Sequence, residues 1–176
     1  NDGTPQGSDA LRQAVAGCLA ALPGSTLVFA PHANSYDRLV PNAHAPTGIG
    51  WAYENRTAAL RVPSSGNAAR RIEHRVAGGD VNPYLMIAAI LGAALIGIED
   101  RMIPDEPLKG NAYAQNLDQL PPTWHRAIET FSMCPLVRRI FDDEIVENFL
   151  MTKRQEIHYM AELSDQEQSE LYLDTV

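Results

Sequence analysis

The segment that decides how the chain folds is residues 70–76, which read RRIEHRV. In a β-strand, alternate side chains point to one face, so Arg71, Glu73 and Arg75 are predicted to project together. A carboxylate between two guanidinium groups is ionised and can bind a divalent cation, while the arginines hold phosphate or carboxylate oxygens. The same pattern in isolation also suits a surface strand with ion pairs. The neighbouring sequence is therefore needed to choose between a binding site and an ordinary surface strand.

The surroundings concentrate positive charge. Residues 38–75 contain no lysine and only two acids, Glu54 and Glu73, which leaves a formal charge of +4 in a chain of net charge −8. The six arginines of this segment are Arg38, Arg56, Arg61, Arg70, Arg71 and Arg75. Arginine binds planar or tetrahedral oxyanions through two parallel hydrogen bonds, which lysine cannot do. The segment therefore predicts an anion-binding site.

The composition is that of one ordinary globular domain, with 176 residues, 45% hydrophobic and 20% charged. A pI near 5.0 argues against a nucleic-acid partner, because proteins that bind phosphate backbones have a more extensive basic face. The apolar run from Pro83 to Ile98 is shorter than the roughly 20 residues of a membrane span. It is interpreted as a buried helix, and no membrane partner is expected.

Cysteine use and the N-terminal sequence favour the cytoplasm. Cys18 and Cys134 are few and far apart, which predicts buried thiols and no disulfide or metal site. Residues 1–7 are polar and turn-rich and do not resemble a signal peptide.

Periodicity predicts an α+β fold in which short antiparallel strands pack with a largely helical C-terminal half. Ser8 is predicted to cap a helix that Pro23-Gly24 ends, and strands are expected within residues 49–62 and 70–76, joined by a turn at 63–67. The buried helix begins at Asn82-Pro83, a proline-rich surface loop covers 104–122, and four helices follow.

Four motifs in order resemble the glutamine synthetase family, and the resemblance runs over nearly the whole chain. They are NSYDRLVP at 34–41, NRTAALRVP at 55–63, RRIEHR at 70–75 and NPYL at 82–85. The resemblance implies an enzyme that uses ATP and Mg²⁺ or Mn²⁺ to phosphorylate the γ-carboxylate of glutamate, after which an amine displaces the phosphate. Such chemistry needs fixed cations around the transferring phosphoryl group.

The resemblance also implies roles for individual residues. Glu73 matches a metal ligand of the family, and Arg56, Arg61 and Arg71 match arginines that face the ATP phosphates and the transferred group. The remaining matches, Arg38 and Arg75, correspond to arginines that hold glutamate. Regular strand alternation would put Arg56 and Arg61 on opposite faces, so either Arg56 lies in a turn before the strand or one of the two has another role. Arg70 is expected to be structural.

Departures from the family pattern favour organic amines as acceptors. His44 occupies the position where ammonia-using members have a glutamate of the ammonium site, and an imidazole cannot hold NH₄⁺ as a carboxylate does. The lysine expected shortly before the paired arginines is replaced by Ala68. Residues 74–80, with Trp51, resemble the γ-glutamyl-polyamine (γ-glutamylputrescine) branch. Tyr113 lies near a tyrosine that some bacterial members adenylylate, but its flanking residues differ and favour an ordinary loop residue.

The resemblance further implies that residues 1–176 are the C-terminal portion of the catalytic domain. The family's N-terminal β-grasp domain, its earlier metal-binding glutamates and its His-x-His motif have no counterpart here, so this piece alone is expected to be inactive. Family members form rings of identical subunits, which predicts a homo-oligomer. Three alternatives remain: glutamine synthetase proper using ammonia, a non-catalytic binding or regulatory homologue, and a free-standing anion-binding module.

Overall fold

The α+β class is confirmed by a computed structural model, which describes residue 4, residues 6–64, residue 66 and residues 68–175. Two short 3₁₀ helices, Ala33–Arg38 and Ala112–Ala114, lie in its loops. The helices and strands in chain order are α1 (Asp9–Phe29), β1 (Trp51–Tyr53), β2 (Leu60–Val62), β3 (Glu73–His74), α2 (Pro83–Glu99), α3 (Trp124–Met133), α4 (Pro135–Ile140), α5 (Asp143–Met160) and α6 (Asp165–Thr175).

Helix α1 is the central element, and it is longer than the sequence predicts. The Ser8 hydroxyl caps it as expected by accepting a hydrogen bond from the Leu11 N–H at 3.2 Å. The predicted end at Pro23-Gly24 is wrong, because the helix continues to Phe29. Proline inside a helix removes one backbone hydrogen bond. Here the last turns of α1 are fully buried, so packing outweighs that loss.

Helix α2 packs closely on α1, but only one of its faces is buried. A Cβ added at Gly17 would lie 2.1 Å from the Ala93 carbonyl oxygen, and one at Gly97 would lie 2.1 Å from the Gln13 carbonyl oxygen. The prediction of a wholly buried helix is therefore wrong. Its outer face exposes the large apolar side chains of Tyr84, Ile87, Leu91, Leu95 and Ile98, which we call the α2 apolar face.

The three strands form one small sheet in the order β1-β2-β3. Strands β2 and β3 are antiparallel as predicted, with Arg61 directly opposite Glu73. Strands β1 and β2 are parallel, which contradicts the antiparallel prediction. The six-residue connection 54–59 brings the chain back to the start of β1 because each strand has only three residues. Of the predicted turn at 63–67, Ser65 and Asn67 lie outside the described residues.

The four predicted C-terminal helices are present, and a partly buried hydrogen-bond network ties α5 to His32, the residue before the 3₁₀ helix Ala33–Arg38. Lys153, which is 6% exposed, donates to Glu156 at 2.7 Å, and Glu156 contacts the His32 ring at 2.8 Å. Tyr172 of α6 joins through its hydroxyl, 3.4 Å from Glu156. The Lys153 ammonium and the Glu156 carboxylate offset each other's charge, and the other two groups add hydrogen bonds to the same carboxylate.

Both cysteines are free thiols, but the prediction that both are buried is confirmed only for Cys18. Cys18 is buried, which raises the pKa of its thiol to about 12, whereas Cys134 is only half-buried. None of the helices in the described part of the chain is long and apolar enough to cross a membrane.

Candidate active site

Three arginines converge on Glu73, and two of them, Arg71 and Arg75, are those that the alternation in residues 70–76 predicts. The Glu73 carboxylate accepts a hydrogen bond from Arg61 Nη1 at 3.0 Å and lies 3.3 Å from Arg75 Nε and 4.0 Å from Arg71 Nη2. The Arg61 contact is a direct cross-strand pair between β2 and β3. We call Arg61, Arg71, Glu73 and Arg75 the Glu73 cluster.

A second carboxylate, Glu54, holds Arg61 from the other side. Arg61 Nη2 donates to Glu54 at 2.6 Å, and the Ser64 N–H donates to the same carboxylate. The hydrogen bond from Arg61 and then that from Ser64 hold the pKa of Glu54 below its usual range, so it is ionised at neutral pH. No role was predicted for Glu54. Its position immediately before the Asn55-Arg56 motif was the signal that could have drawn attention to it.

Arg56 lies in the turn before β2, so strand alternation does not force it onto the face opposite Arg61. Its carbonyl accepts a hydrogen bond from Arg75, so the turn is tied to the Glu73 cluster. Arg56 and Arg61 line the same open cleft of about 820 Å³, together with Lys109. The cleft and the Glu73 cluster thus combine five cations with two carboxylates, Glu54 and Glu73.

Arg38 faces backbone carbonyl groups. Its Nη2 donates to the Phe29 carbonyl at 3.0 Å and to the Val76 carbonyl at 2.7 Å, and its buried Nε has no partner among the described residues. Burial lowers the pKa of its guanidinium, and the nearby Asp80 carboxylate opposes that effect. No hydrogen bond or ion pair joins the Arg38 side chain to the side chains of the Glu73 cluster in the part of the chain that the structure describes. It connects the end of α1 to the segment after β3.

His44 is exposed on a tight loop and does not touch the Glu73 cluster either. Asn42 and His44 both have left-handed backbone conformations, with φ of 66° and 65°. Tyr113 donates its hydroxyl hydrogen to the Ala45 carbonyl at 2.8 Å and so anchors this loop. The sequence did not predict that contact, because it joins residues 68 positions apart.

His74 lies on the opposite side of β3 from Glu73. Its ring packs on Phe29 with centroids 4.3 Å apart. Although the residue as a whole is half-buried, its Nδ1 is fully buried and has no hydrogen-bond partner within the described residues. Burial lowers the pKa of His74 to about 4, so the imidazole is neutral at physiological pH.

The described residues fit a polyphosphate but do not complete a metal site. None of their His, Cys, Asp and Glu side chains form a group of three or more that could hold a metal ion. Glu73 therefore supplies one ligand at most, whereas divalent cations in proteins usually take several oxygen ligands. The guanidinium groups around Glu73 and along the cleft can neutralise phosphate oxygens through paired hydrogen bonds.

Comparison with known proteins agrees with the family resemblance of the sequence motifs. Residues 1–172 match the family described as glutamine synthetase, catalytic domain. The gamma-glutamylethanolamide synthetase of Streptomyces coelicolor is 43% identical over 150 residues, which are 85% of this chain and 32% of that protein. The type-1 glutamine synthetase 2 of Dictyostelium discoideum is 36% identical over 174 residues, covering 96% of this chain and 33% of that protein.

A solved structure described as apo GmaS without ligand has a similar fold. It superposes with a TM-score of 0.79 at 31% sequence identity, covering 96% of this chain and 39% of that chain. This chain therefore spans about a third of the length of the curated relatives it matches.

Proposed function

The chain belongs to the glutamine synthetase family, and from that premise we propose that it forms part of an ATP-dependent ligase that joins glutamate to an amine. The observation that carries the proposal is the convergence of Arg61, Arg71 and Arg75 on Glu73. An arrangement of fixed cations beside a carboxylate suits phosphoryl transfer, because such catalysis depends on positioning and on neutralising charge.

Each residue of the site has a proposed role. Arg61 and Arg71 bind the nucleotide phosphates, and Arg56 and Arg61 stabilise the charge of the phosphoryl group that ATP supplies. Glu73 contributes one ligand to a Mg²⁺ or Mn²⁺ ion whose other ligands are not among the described residues. Glu54 keeps Arg61 turned toward the cleft, since it holds one of its two terminal nitrogens.

The glutamate and the amine would be held by the remaining residues. Arg75 and Arg38 bind glutamate carboxylate groups, and for Arg38 this role has to coexist with its two backbone hydrogen bonds through Nη2. His44 lines the acceptor site. We propose an organic amine or polyamine as acceptor, because His44 replaces the carboxylate expected for an ammonium site, and the similarity to an ethanolamide-forming relative supports this choice.

The chain is proposed to be the C-terminal portion of a catalytic domain in a cytoplasmic homo-oligomer. Glutamine synthetase proper remains the second candidate, because the chain is also 36% identical to a glutamine synthetase. A non-catalytic homologue is disfavoured by the intact set of arginines around Glu73.

The test is an assay of the full-length protein that carries this sequence. It should be supplied with ATP, Mg²⁺ or Mn²⁺ and glutamate, and with ammonia, putrescine or ethanolamine in turn, while phosphate release is measured. We expect turnover with an organic amine. Release with ammonia alone would reverse the choice of acceptor, and no glutamate-dependent release with any of the three would contradict the ligase proposal.

A matched pair of variants tests the role of the cluster. Arg61→Lys keeps the positive charge, but an ammonium group cannot form the two parallel hydrogen bonds that a guanidinium makes with a phosphoryl group. We therefore expect kcat to fall by about 10²- to 10³-fold, as when one hydrogen-bond donor to a transition state is removed. Arg70→Lys is the control, because Arg70 donates to the Thr4 carbonyl and is not part of the Glu73 cluster. Equal losses in the two variants would argue against the proposed role of Arg61.

A further inference from the structure

Tyr113 stands at the junction of two loops that the proposed site uses. The short segment 110–114, which we call the Tyr113 turn, contains the 3₁₀ helix Ala112–Ala114. Its first turn is capped by the Asn111 side chain, which accepts from the Tyr113 N–H at 3.0 Å. The Tyr113 turn is therefore locally ordered before any contact with other loops is considered.

The Tyr113 turn is fastened to the loop that carries Arg56. The Ala112 N–H donates to Thr57 Oγ1 at 2.9 Å, and Asn55 Nδ2 donates to the Gly110 carbonyl at 2.7 Å. Asn55 and Thr57 flank Arg56 directly. Two hydrogen bonds thus fix the Tyr113 turn relative to the Arg56 side of the cleft.

From this fixed position, Tyr113 reaches the loop that carries His44. Its hydroxyl donates to the Ala45 carbonyl at 2.8 Å. Among the described residues, this hydrogen bond is the one from a side chain that anchors segment 41–46. Asn42 and His44 both have positive φ, a conformation that asparagine and histidine adopt more readily than most other residues with a Cβ but that still has a cost in backbone free energy, so the anchor helps to hold the loop.

We propose that Tyr113 is a positioning residue for the amine-acceptor pocket. Its hydroxyl, acting through the Ala45 carbonyl, holds His44 at a set place relative to Arg56, so that a short primary amine is presented to the activated glutamate. This inference rests on the proposed function and extends it to the residue that decides how well the acceptor binds. Tyr113 itself does not touch the reacting atoms.

The decisive variant is Tyr113→Phe in the full-length protein, which removes one hydroxyl and keeps the ring. With ethanolamine as acceptor, its KM is expected to rise about three- to tenfold, which corresponds to the loss of one hydrogen bond. The KM values for ATP and glutamate should stay within about twofold of the parent values, because phenylalanine keeps the packing of the aromatic ring. Hydrogen exchange of the peptide covering 42–46 should become faster.

Tyr159→Phe is the control, because Tyr159 is an exposed tyrosine on α5 and not part of either loop. An equal rise of the KM values for ATP and ethanolamine in Tyr113→Phe, or unchanged exchange at 42–46, would overturn the inference. If the parent protein shows no turnover with any amine, the proposed function fails and the acceptor role with it. Exchange at 42–46 then still decides whether Tyr113 holds the loop, so the two failures are distinguishable.

Discussion

Strand β3 shows how two neighbouring residues serve different parts of the molecule, Glu73 the candidate site and His74 the core. Alternation along β3 puts Glu73 among the arginines and His74 on the inner side against Phe29. The buried Nδ1 favours the neutral imidazole, and burial lowers its pKa to about 4 from an ordinary value near 6.5. Between these two values the unfolded chain binds a proton that the folded chain does not.

We predict that His74 makes the folded protein less stable in mild acid. Its contribution is complete above pH 6.5 and is lost as the pH falls toward 4, by on the order of 1–3 kcal/mol in the free energy of unfolding. His74→Leu should therefore flatten the dependence of that free energy on pH between 6.5 and 4, as measured by denaturant unfolding. His125→Gln, at an exposed position of α3, is the control. Parallel curves for the parent and His74→Leu would contradict this prediction.

At the level of single residues, the sequence predicted contacts within one strand better than contacts between segments. The grouping of Arg71, Glu73 and Arg75 follows from alternation alone and is confirmed. The pairing of Arg61 with Glu54 could not be predicted, because it depends on a left-handed turn at Glu54, with φ of 50°, and on the register of the sheet.

The crossing of α1 and α2 is the tightest contact between two elements. Gly17 and Gly97 meet backbone to backbone, and each would place a Cβ 2.7 Å from the amide nitrogen of the other. Two glycines at the crossing point let the helices approach more closely than any side chain would permit.

Gly17→Ala is expected to destabilise the fold by about 1–3 kcal/mol, because the added methyl group meets backbone that cannot rotate away. The loss should appear as a lower midpoint in thermal or denaturant unfolding. Gly66→Ala is the matched control, since a Cβ there meets nothing within 4 Å. A midpoint for Gly17→Ala equal to that of the control would mean that the helices can separate without cost.

The ends of helices could be predicted where a nearby residue type marks them, but not where packing against a distant segment determines them. The cap at Ser8 and the start of α2 at Pro83 were predicted from residue type and are present. The C-terminal end of α1 was missed because Pro23-Gly24 normally ends a helix. At Gly24 a Cβ would lie 2.4 Å from Cys134 Sγ, so the helix is held there by a distant part of the chain. The parallel pairing of β1 and β2 likewise depends on tertiary packing. The sequence predicted an antiparallel pair because the connection between the two strands is as short as that of a hairpin.

The α2 apolar face is the main feature at the scale of the whole molecule. Leu91 and Leu95 are each more than half exposed, one turn apart on the same side of the helix. Composition could not predict which side of α2 lacks a partner, because both sides are apolar. Contiguous exposed apolar surface of this kind promotes association in water.

Residues 1–176 on their own are therefore expected to self-associate. Leu91→Lys combined with Leu95→Lys should lower the apparent mass measured by size-exclusion chromatography with light scattering, because two charges interrupt the α2 apolar face. Met151→Lys changes a single exposed methionine of α5 and is the control. If the double variant associates as strongly as the parent, a different surface is responsible.

The excess of guanidinium groups around Glu73 has a consequence for any binding measurement. Mobile ions shield charges over about 8 Å at physiological ionic strength and over about 30 Å in dilute buffer. Arg71 and Arg56 are exposed, so dissolved ions compete with the guest at these groups, whereas the Arg61 side chain is only 13% exposed and is shielded less. The affinity for the nucleotide that the proposed function requires should consequently weaken as potassium chloride is added, down to a floor set by Arg61.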